Sequence, residues 1–284
     1  MAHVIPGIEP RTFTRIDGHG RQATEDLVAI EEPLQVLVDG KPVAVLMRTP
    51  GKEKELAVGF CLSEGVIARF DDIGLVQHCG RSVLDPQGSV DDLDVSRNIV
   101  NVTLLRREAA GHDGRADILR LVRSGCGRTD PDELATTLPA VTGALRVPAS
   151  VLMGLTRKLV AGQEAYRQAG GLHAVALFAA DGELVVIGED IGRHNAMDKT
   201  LGHCYLRGIP LHDKIAFSTG RASYEMVLKA VRAGVPILIS RSSATSLAID
   251  LAERLNCTLI GYARGERMTI YAHPERVLDE PAQI

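Results

Sequence analysis

The sequence has no C-x-x-C pair, no excess of basic charge and no long apolar run, and each absence excludes a class of protein. Five cysteines in 284 residues, an odd number without close pairs, suit neither a disulfide framework nor a zinc finger. A formal net charge of −4 argues against a nucleic-acid-binding protein that works through a broad basic field. No stretch approaches the ~20 apolar residues of a membrane span, and no cationic leader opens the chain. We therefore expect a cytoplasmic protein with reduced thiols that binds neither nucleic acid nor a membrane.

The first half of the chain divides into three regions by its pattern of apolar residues. Residues 1–30 are polar and rich in Gly and Arg, which predicts a loose arm or an edge strand. Residues 31–110 combine two β-prone runs, joined at Asp39-Gly40, with an amphipathic helix, and we predict a small α+β module. Residues 111–147 show little periodicity and predict a mobile connection between this module and the rest.

Residues 148–284 alternate strand and helix signals, which is typical of an α/β domain. Pro148 opens a helix, a strand pair turns at Asp181-Gly182, and the following strands alternate with helices. Such alternation implies right-handed crossovers and a largely parallel sheet covered by helices. We predict that this larger domain shares its sheet with the N-terminal module.

Three successive strands of this domain are each followed by hydroxyl, glycine or arginine residues. In parallel sheets, ligands bind beyond the carboxyl ends of strands, where helix N-termini offer N–H groups. Arginine side chains grip phosphate oxygens in pairs. A site for a phosphate-bearing ligand is therefore predicted from three segments: Ser218-Thr219-Gly220-Arg221, Ser240-Arg241-Ser242-Ser243 and Tyr262-Ala263-Arg264-Gly265-Glu266-Arg267. Alternatively, the Ser and Thr residues only cap helices and the Arg residues are solvated.

A strand-to-helix turn with the sequence G-E-D-I-G-R-H-N is dense in polar residues, which is more typical of a site than of a linker. His194 could donate to a ligand or exchange a proton near neutral pH, and Asp190 could fix its tautomer or bind a base edge. We include Asp190, Arg193 and His194 in the predicted ligand site. Alternatively, Asp190 or Asn195 caps the helix and His194 satisfies a loop carbonyl. His173, in an apolar strand, is more simply a core or edge residue.

Cys126 lies between two glycines in the segment R-S-G-C-G-R, with Arg123 and Arg128 nearby. Glycines expose the sulfur, and neighbouring guanidinium groups favour the thiolate, which is the nucleophilic form. This pattern is typical of a nucleophile, although a lone cysteine in a loop fits a structural role equally well. Cys61 and Cys257 lie among apolar neighbours and are most simply buried.

Five segments of the chain resemble the FdhD family of formate dehydrogenase accessory sulfurtransferases. They are R-S-G-C-G, G-E-D-I-G-R-H-N-A-M-D-K, S-T-G-R-A-S-Y-E-M-V, G-V-P-I-L-I-S-R-S-S-A-T and Y-A-R-G-E-R. The resemblance runs from about Glu31 to His273. It implies a cytoplasmic, usually homodimeric protein that takes sulfur from a cysteine desulfurase. The acceptor implied is the molybdenum bis-molybdopterin guanine dinucleotide cofactor of a formate dehydrogenase, and the larger domain is expected to be similar to the three-layer cytidine deaminase fold.

For individual residues, the resemblance implies a persulfide on Cys126 and a cofactor-binding segment from Tyr262 to Arg267, where GDP-like nucleotides would bind as analogues. One departure concerns Thr129, which stands where the family's common C-G-x-C-G pattern has its second cysteine. A dithiol releases sulfide by closing to a disulfide, and this chain lacks that second thiol. Turnover is therefore expected to need an external thiol.

Two other functions fit parts of the sequence. A cofactor-binding chaperone without sulfur chemistry would agree with Thr129 and would leave Cys126 dispensable. A zinc deaminase is suggested by the implied fold but needs His-x-Glu and Pro-Cys-x-x-Cys. His173 is followed by Ala174 and Val175, and the sequence has no such cysteine pair. We therefore predict no zinc site and no other metal site.

Overall fold

Four stretches of the chain are described by the computed structural model: residues 5–79, 98–105, 120–121 and 138–279. Cys126 and Thr129 lie outside these stretches, as does most of the predicted connection over residues 111–147. None of the helices in the described stretches is long and apolar enough to cross a membrane.

The strands are β1 Ile8–Asp17, β2 Gly20–Ala29, β3 Glu32–Val38, β4 Lys41–Arg48, β5 Ile73–Cys79, β6 Ile99–Leu104, β7 Arg120–Leu121, β8 Val147–Pro148, β9 His173–Phe178, β10 Leu184–Asp190, β11 Ile215–Ser218, β12 Ile237–Ser240, β13 Thr258–Arg264, β14 Arg267–Ala272 and β15 Val277–Leu278. The helices are α1 Glu53–Ser63, α2 Ala149–Gly162, α3 Glu164–Ala169, α4 Arg193–Leu206, α5 Tyr224–Arg232 and α6 Ser246–Arg254. Short 3-10 turns occupy Phe70–Asp72 and Pro274–Arg276.

A six-stranded sheet with the order β10-β9-β11-β12-β13-β14 forms the centre of the larger domain. Parallel pairing joins only β11, β12 and β13, whereas β9 is antiparallel to both of its neighbours and β14 is antiparallel to β13. The prediction of a largely parallel sheet therefore holds for the centre of the sheet only. β9 and β10, and likewise β13 and β14, pair antiparallel because tight turns, at Asp181-Gly182 and Gly265-Glu266, leave no room for the crossover that a parallel connection needs. The hairpin predicted at Asp181-Gly182 is confirmed.

Helices cover both faces of this sheet and make three layers. On one face α2 buries Leu152, Leu155 and Leu159 against alternate residues of β9, β11 and β12. On the other face α4, α5 and α6 pack on the intervening residues. Because both faces are covered, the central strands β9, β11 and β12 are almost continuously apolar. The larger domain is thus a mixed α/β domain, and its likeness to the cytidine deaminase fold stays a prediction.

The N-terminal module has a sheet of its own, with the order β5-β6-β3-β4-β7. Its hairpin at Asp39-Gly40 is confirmed, but the prediction that its sheet is shared with the larger domain was wrong. Helix α1 explains the separation, because it is buried all round from Leu56 to Ser63. A helix that is apolar on every side must be covered on every side. Here the five-stranded sheet covers one side of α1 and helix α4 covers another.

Helices α1 and α4 approach so closely that their backbones touch. A Cβ atom built at Gly59 would overlap the carbonyl oxygen of Asp198, and one built at Gly202 would overlap that of Glu55. Only glycine lacks the atom that would separate the two helices. This crossing fixes the larger domain against the N-terminal module.

A buried lysine braces the same junction. The Nζ of Lys229, on α5, lies 2.9 Å and 3.0 Å from the two carboxylate oxygens of Asp198 on α4. It also lies 2.8 Å from the hydroxyl of Ser63 and 2.6 Å from a carboxylate oxygen of Glu64, both at the end of α1. Burial opposes the charge of Lys229, but the two carboxylates outweigh it and raise the pKa of this lysine. The network therefore joins three helices through one ammonium group.

Residues 8–29 form a two-stranded hairpin, β1–β2, where the sequence suggested a loose arm or an edge strand. Its base packs on α3 through Ile8 and Leu27, whereas most of its length is exposed. The weakly alternating, polar sequence hid these strands because neither face has a continuous apolar stripe.

We predict that Gly202→Ala destabilises the protein by about 3 kcal/mol or more, because the added methyl group overlaps a backbone atom that cannot rotate away. Gly154→Ala is the matched control, since Gly154 lies inside α2 with open space where its Cβ would be. There the same substitution should stabilise the protein by up to about 1 kcal/mol through helix propensity. Urea unfolding measures both, and equal effects would contradict the backbone contact.

Lys229→Met should cost about 3 to 5 kcal/mol, because it leaves the buried Asp198 carboxylate without its cation. Lys54→Met, at an exposed position of α1, removes the same charge from the surface and should change stability by less than about 0.5 kcal/mol. Chemical denaturation of the two variants compares them directly. A decrease of less than about 1 kcal/mol in the free energy of unfolding of Lys229→Met would show that the network does not stabilise the junction.

Candidate functional site

Polar segments from several strands meet at one edge of the six-stranded sheet. β10 ends at Asp190, opposite His173 at the start of β9. β11 and β12 end side by side at Ser218 and Ser240. β13 ends and β14 begins at this edge as well. We call this region the ligand edge, because it brings together the segments that the sequence predicted as one site.

Two similar turns follow β11 and β12 and run side by side. They cover residues 219–223 and 241–245, and each leads from a strand into a helix. A bridge between Ala222 and Ala244 continues the parallel pairing of the two strands beyond their ends. The turns are therefore a rigid extension of the sheet.

The serine hydroxyls at the strand ends shape these turns from within. Ser218 Oγ accepts a hydrogen bond from the N–H of Gly220 at 3.1 Å. Ser240 Oγ donates to the carbonyl of Gly220 at 2.7 Å and accepts from the N–H of Ser242 at 2.9 Å. Both serines are buried, so the structure does not support the prediction that their hydroxyls contact a ligand.

The backbone donors of the turns are also used within the protein. N–H groups with acceptors of their own are those of Thr219, Gly220, Ala222, Arg241, Ser242 and Thr245. The helices begin only after the turns, at Tyr224 and Ser246. The arginine side chains of these turns are the cationic groups available to hold an anionic ligand.

The third predicted segment is a hairpin turn rather than a strand-to-helix turn. Tyr262 has a left-handed backbone (φ 49°) that makes a bulge, and its ring is exposed. The side chain of Ala263 points away from the ligand edge into the core beneath α2. Arg264 Nε donates to the carbonyl of Arg241 at 2.8 Å, which ties the hairpin to the neighbouring turn. Arg267 is exposed, as are Gly265 and Glu266 at the tip.

Asp190 is a structural residue, in contrast to its predicted place in the ligand site. Its Oδ2 lies 2.7 Å from Lys199 Nζ and accepts a hydrogen bond from the N–H of Thr49 at 3.1 Å. Its Oδ1 accepts from the N–H of Gly192 and from Asn195 Nδ2, both at 3.0 Å. The side chain is fully buried, so it links the N-terminal module to the turn that carries Arg193.

Arg193 crosses the ligand edge against the bare face of Gly220. A Cβ atom at Gly220 would lie 2.7 Å from Arg193 Cδ, so the glycine makes room for this side chain. Burial, and then the nearby guanidinium of Arg221, lower the pKa of Arg193. The Nε atom of Arg193 is buried and has no hydrogen-bond partner within the described residues. An anion at this position would supply the missing acceptor.

Two residues that sequence reasoning did not place in the site also lie at the ligand edge. His173 Nδ1 is 3.3 Å from Thr219 Oγ1, and burial together with Arg193 and His194 lowers the pKa of this histidine. Glu225, in the first turn of α5, faces His194 with 3.5 Å between Oε2 and Nε2. His173 could not be placed in the site from the sequence, because its position depends on the pairing of β9 with β11. No local signal distinguishes Glu225 from an ordinary helix-start carboxylate.

The ligand edge is therefore a cluster of cations built on rigid turns. It is suited to a polyanion that spans from the β10–α4 turn to the β13–β14 hairpin, because arginines lie at each of these segments. They are Arg193, Arg221, Arg241, Arg264 and Arg267. In the described part of the chain, no three His, Cys, Asp or Glu side chains lie close enough together to hold a metal ion.

Comparisons with known proteins assign the chain to a family. The model of the FdhD/NarQ family matches residues 29–278. A protein of Streptomyces coelicolor named "Sulfur carrier protein FdhD" is 38% identical over 278 residues, which is 95% of either chain. A protein of Nocardia farcinica with the same name is 38% identical over 271 residues, or 94% of either chain.

A solved structure supports the same assignment. It is described as that of a "putative formate dehydrogenase accessory protein" from Desulfotalea psychrophila, and it superimposes with a TM-score of 0.74. The alignment covers 96% of this chain and 100% of the other, at 28% sequence identity. The resemblance seen in the five sequence segments is thus confirmed, and the chain belongs to the FdhD/NarQ family.

Proposed function

We propose that this protein is a sulfur carrier that holds sulfur as a persulfide on Cys126 and delivers it to a molybdenum bis-molybdopterin guanine dinucleotide cofactor. In this proposal the sulfur comes from a cysteine desulfurase in the cytoplasm, and the client enzyme is a formate dehydrogenase. Relatives that align over nearly the whole chain are named as sulfur carriers, which supports the general role. The thiols and the ligand edge of this chain support the finer parts.

The observation that carries the proposal is the state of the other thiols. Cys61, Cys204 and Cys257 are each fully buried in a core cluster. Burial raises the pKa of Cys61 and raises those of Cys204 and Cys257 to about 11 and about 12. A carrier thiol must be accessible and ionised to attack sulfur, so these three are unsuited to the role. Cys79 and Cys126 are left. Both are followed by Gly-Arg, but only Cys126 has a glycine on each side and an arginine both before and after it.

The chain connectivity supports access from Cys126 to the ligand edge. β7, which ends at Leu121, pairs in parallel with β4. Met47 is the last residue but one of β4. The carbonyl of Met47 accepts a hydrogen bond from Asn195 Nδ2 at 2.7 Å, beside His194. Cys126 follows Leu121 by five residues in the sequence. The segment that carries Cys126 therefore follows a strand that pairs with β4, and β4 leads toward the ligand edge.

The ligand edge fits the phosphates of the proposed client cofactor. Arg193 would bind a phosphate oxygen through its unpartnered Nε, and the exposed arginines of the neighbouring turns would bind the others. The cofactor supplies the acceptor for sulfur when it is bound. The protein's own contribution is to hold this polyanion beside the thiol.

The sulfur steps balance with an external thiol. The Cys126 thiolate attacks the outer sulfur of the donor's persulfide, and the donor's thiolate leaves. An external thiol then attacks the inner sulfur on Cys126, forms a mixed disulfide, and releases the outer sulfur as hydrosulfide. A second thiol two positions after Gly127 would do this intramolecularly, but Thr129 stands there.

Replacing Arg241 or Arg267 by Ala should weaken the binding of GDP about ten- to a hundredfold, because each removes a charge-assisted contact of about 1.5 to 3 kcal/mol. Arg254→Ala, at the far end of α6, is the matched control and should bind GDP as the wild type does. Titration calorimetry at two salt concentrations measures these affinities, which should fall as salt rises. Wild-type affinity in both edge variants would move the nucleotide site elsewhere.

Cys126→Ser should fold normally but take up no persulfide and support no formate oxidation, because a serine hydroxyl cannot hold a sulfane sulfur. Mass spectrometry after incubation with cysteine and a desulfurase should show an adduct of about 32 Da on the wild type only. Complementation of a strain without its own accessory protein measures formate oxidation. Cys257→Ala serves as the buried-thiol control and should keep the adduct.

Two outcomes would change the proposal. Loss of the adduct in Cys79→Ser, with the adduct kept in Cys126→Ser, would make Cys79 the carrier. Full formate oxidation with Cys126→Ser, together with normal GDP binding, would favour the alternative function of a cofactor-binding chaperone without sulfur chemistry.

A further inference from the structure

Glu225 is an unexpected residue at the ligand edge. It is a carboxylate among the cations that would hold phosphates, and both His194 and Arg193 are close enough to lower its pKa. A negative charge in a site that binds only phosphate repels its ligand. Its presence there therefore calls for a role other than phosphate binding.

One of the two carboxylate oxygens of Glu225 already has partners within the protein. Oε2 accepts a hydrogen bond from Ser223 Oγ at 3.1 Å and faces His194 Nε2 at 3.5 Å. Oε1 has no hydrogen-bond partner among the residues that the structure describes, and the side chain is 39% exposed. The contact with His194 lowers the pKa of Glu225 to about 2, so both oxygens act only as acceptors at neutral pH. An oriented, ionised acceptor is thus presented at the ligand edge.

The surroundings hold the carboxylate in place rather than neutralise it completely. Ser223 is the residue at the N-terminal cap of α5, and its hydroxyl fixes the rotamer of Glu225. His194 is the second residue of α4, and its neighbour Asn195 donates a hydrogen bond to the buried Asp190. A ligand that can donate hydrogen bonds at this point would find an acceptor whose position is already set.

We propose that Glu225 is a specificity-determining residue that reads the 2-amino-4-oxopyrimidine edge of the ligand. This edge occurs in guanine and in pterins, and it presents two neighbouring N–H donors that a carboxylate accepts. The inference rests on the proposed function, which brings such a ligand to the edge. Adenine and hypoxanthine lack this pair of donors, so the carboxylate would discriminate against them. The carboxylate therefore weakens phosphate binding but favours ligands that carry this ring.

The test compares three ligands whose affinities should respond to the carboxylate in different directions. GDP has both the phosphates and the amino group, IDP lacks only the 2-amino group, and pyrophosphate lacks the ring. The wild type should bind GDP about tenfold or more tightly than IDP, because a charge-assisted hydrogen bond is lost with the amino group. Titration calorimetry of all three ligands gives the affinities.

Glu225→Gln should reduce the preference for GDP over IDP to less than about threefold. It should bind pyrophosphate about two- to fivefold more tightly than the wild type, because a like charge is removed. Glu225→Asp keeps the charge but draws it back, so it should lower the GDP preference and leave pyrophosphate affinity at the wild-type level. Glu253→Gln, at an exposed position of α6, is the matched control and should leave all three affinities unchanged.

Guanine and pterin are separated by a second pair of ligands. Pterin has the 2-amino group, and lumazine has an oxygen in its place. A preference for pterin over lumazine that disappears in Glu225→Gln would put the pterin end of the cofactor at Glu225, whereas a lost GDP preference would put the guanine end there. Either result supports the reading of the shared edge.

Other results would overturn the inference. An unchanged GDP preference and an unchanged pterin preference in Glu225→Gln would show that the carboxylate does not read the ring. Equal weakening of GDP, IDP and pyrophosphate would show a structural role through His194. Failure of the wild type to bind any of these ligands would instead refute the proposed cofactor site, and the inference with it.

Discussion

The backbone contact between α1 and α4 is the constraint on which the rest of the structure depends. Because Gly59 and Gly202 lack side chains, the two helices touch and α4 can lie in only one position against the N-terminal module. Helix α4 begins at Arg193, so this contact also sets where Arg193 and His194 enter the ligand edge. The Lys229 network joins α5 to the same crossing, and α5 carries Glu225. The site is therefore positioned by helix packing in the core.

Short and long polar side chains have separate tasks at the ligand edge. Buried serines such as Ser218 and Ser240 use their hydroxyls to shape the turns, and several backbone donors of the turns bond within the protein. Arginines extend from this rigid frame and can reach a ligand. A site made in this way recognises phosphate by charge, since guanidinium groups bind any phosphate. Selectivity for one ligand then requires a different kind of group, and Glu225 is such a group.

The sequence predicted most strands and helices of the larger domain within a few residues, because apolar periodicity is strong there. For example, the helix predicted from Ala222 to Arg232 is α5, Tyr224–Arg232. Sheet pairing was predicted less well, since a run such as Arg267–Ala272 does not reveal whether it returns antiparallel. The polar hairpin β1–β2 was not recognised, because strand signals from apolar alternation fail where both faces are exposed.

The sequence could not show which of the predicted site residues already have hydrogen-bond partners within the protein. Residue type and position singled out turns that the structure brings together, but only the three-dimensional structure shows which polar groups already have partners. Asp190 has the composition of a ligand residue, yet four hydrogen-bond or ion-pair partners inside the protein occupy its oxygens. The contribution of His173 depends on β9 lying beside β11, and that pairing is not written in any local pattern.

The enclosure of α1 has a consequence for how the chain folds. Its apolar surface is complete only when the five-stranded sheet lies on one side and α4 on another, and α4 follows α1 by well over a hundred residues. Contacts of such long sequence separation form late, because the loop between them must close first. During synthesis α1 therefore leaves the ribosome long before its second partner exists. Until α4 is synthesised, one apolar side of α1 stays exposed. Because α1 is covered only when both halves are folded, we expect the two halves to fold as a single cooperative unit.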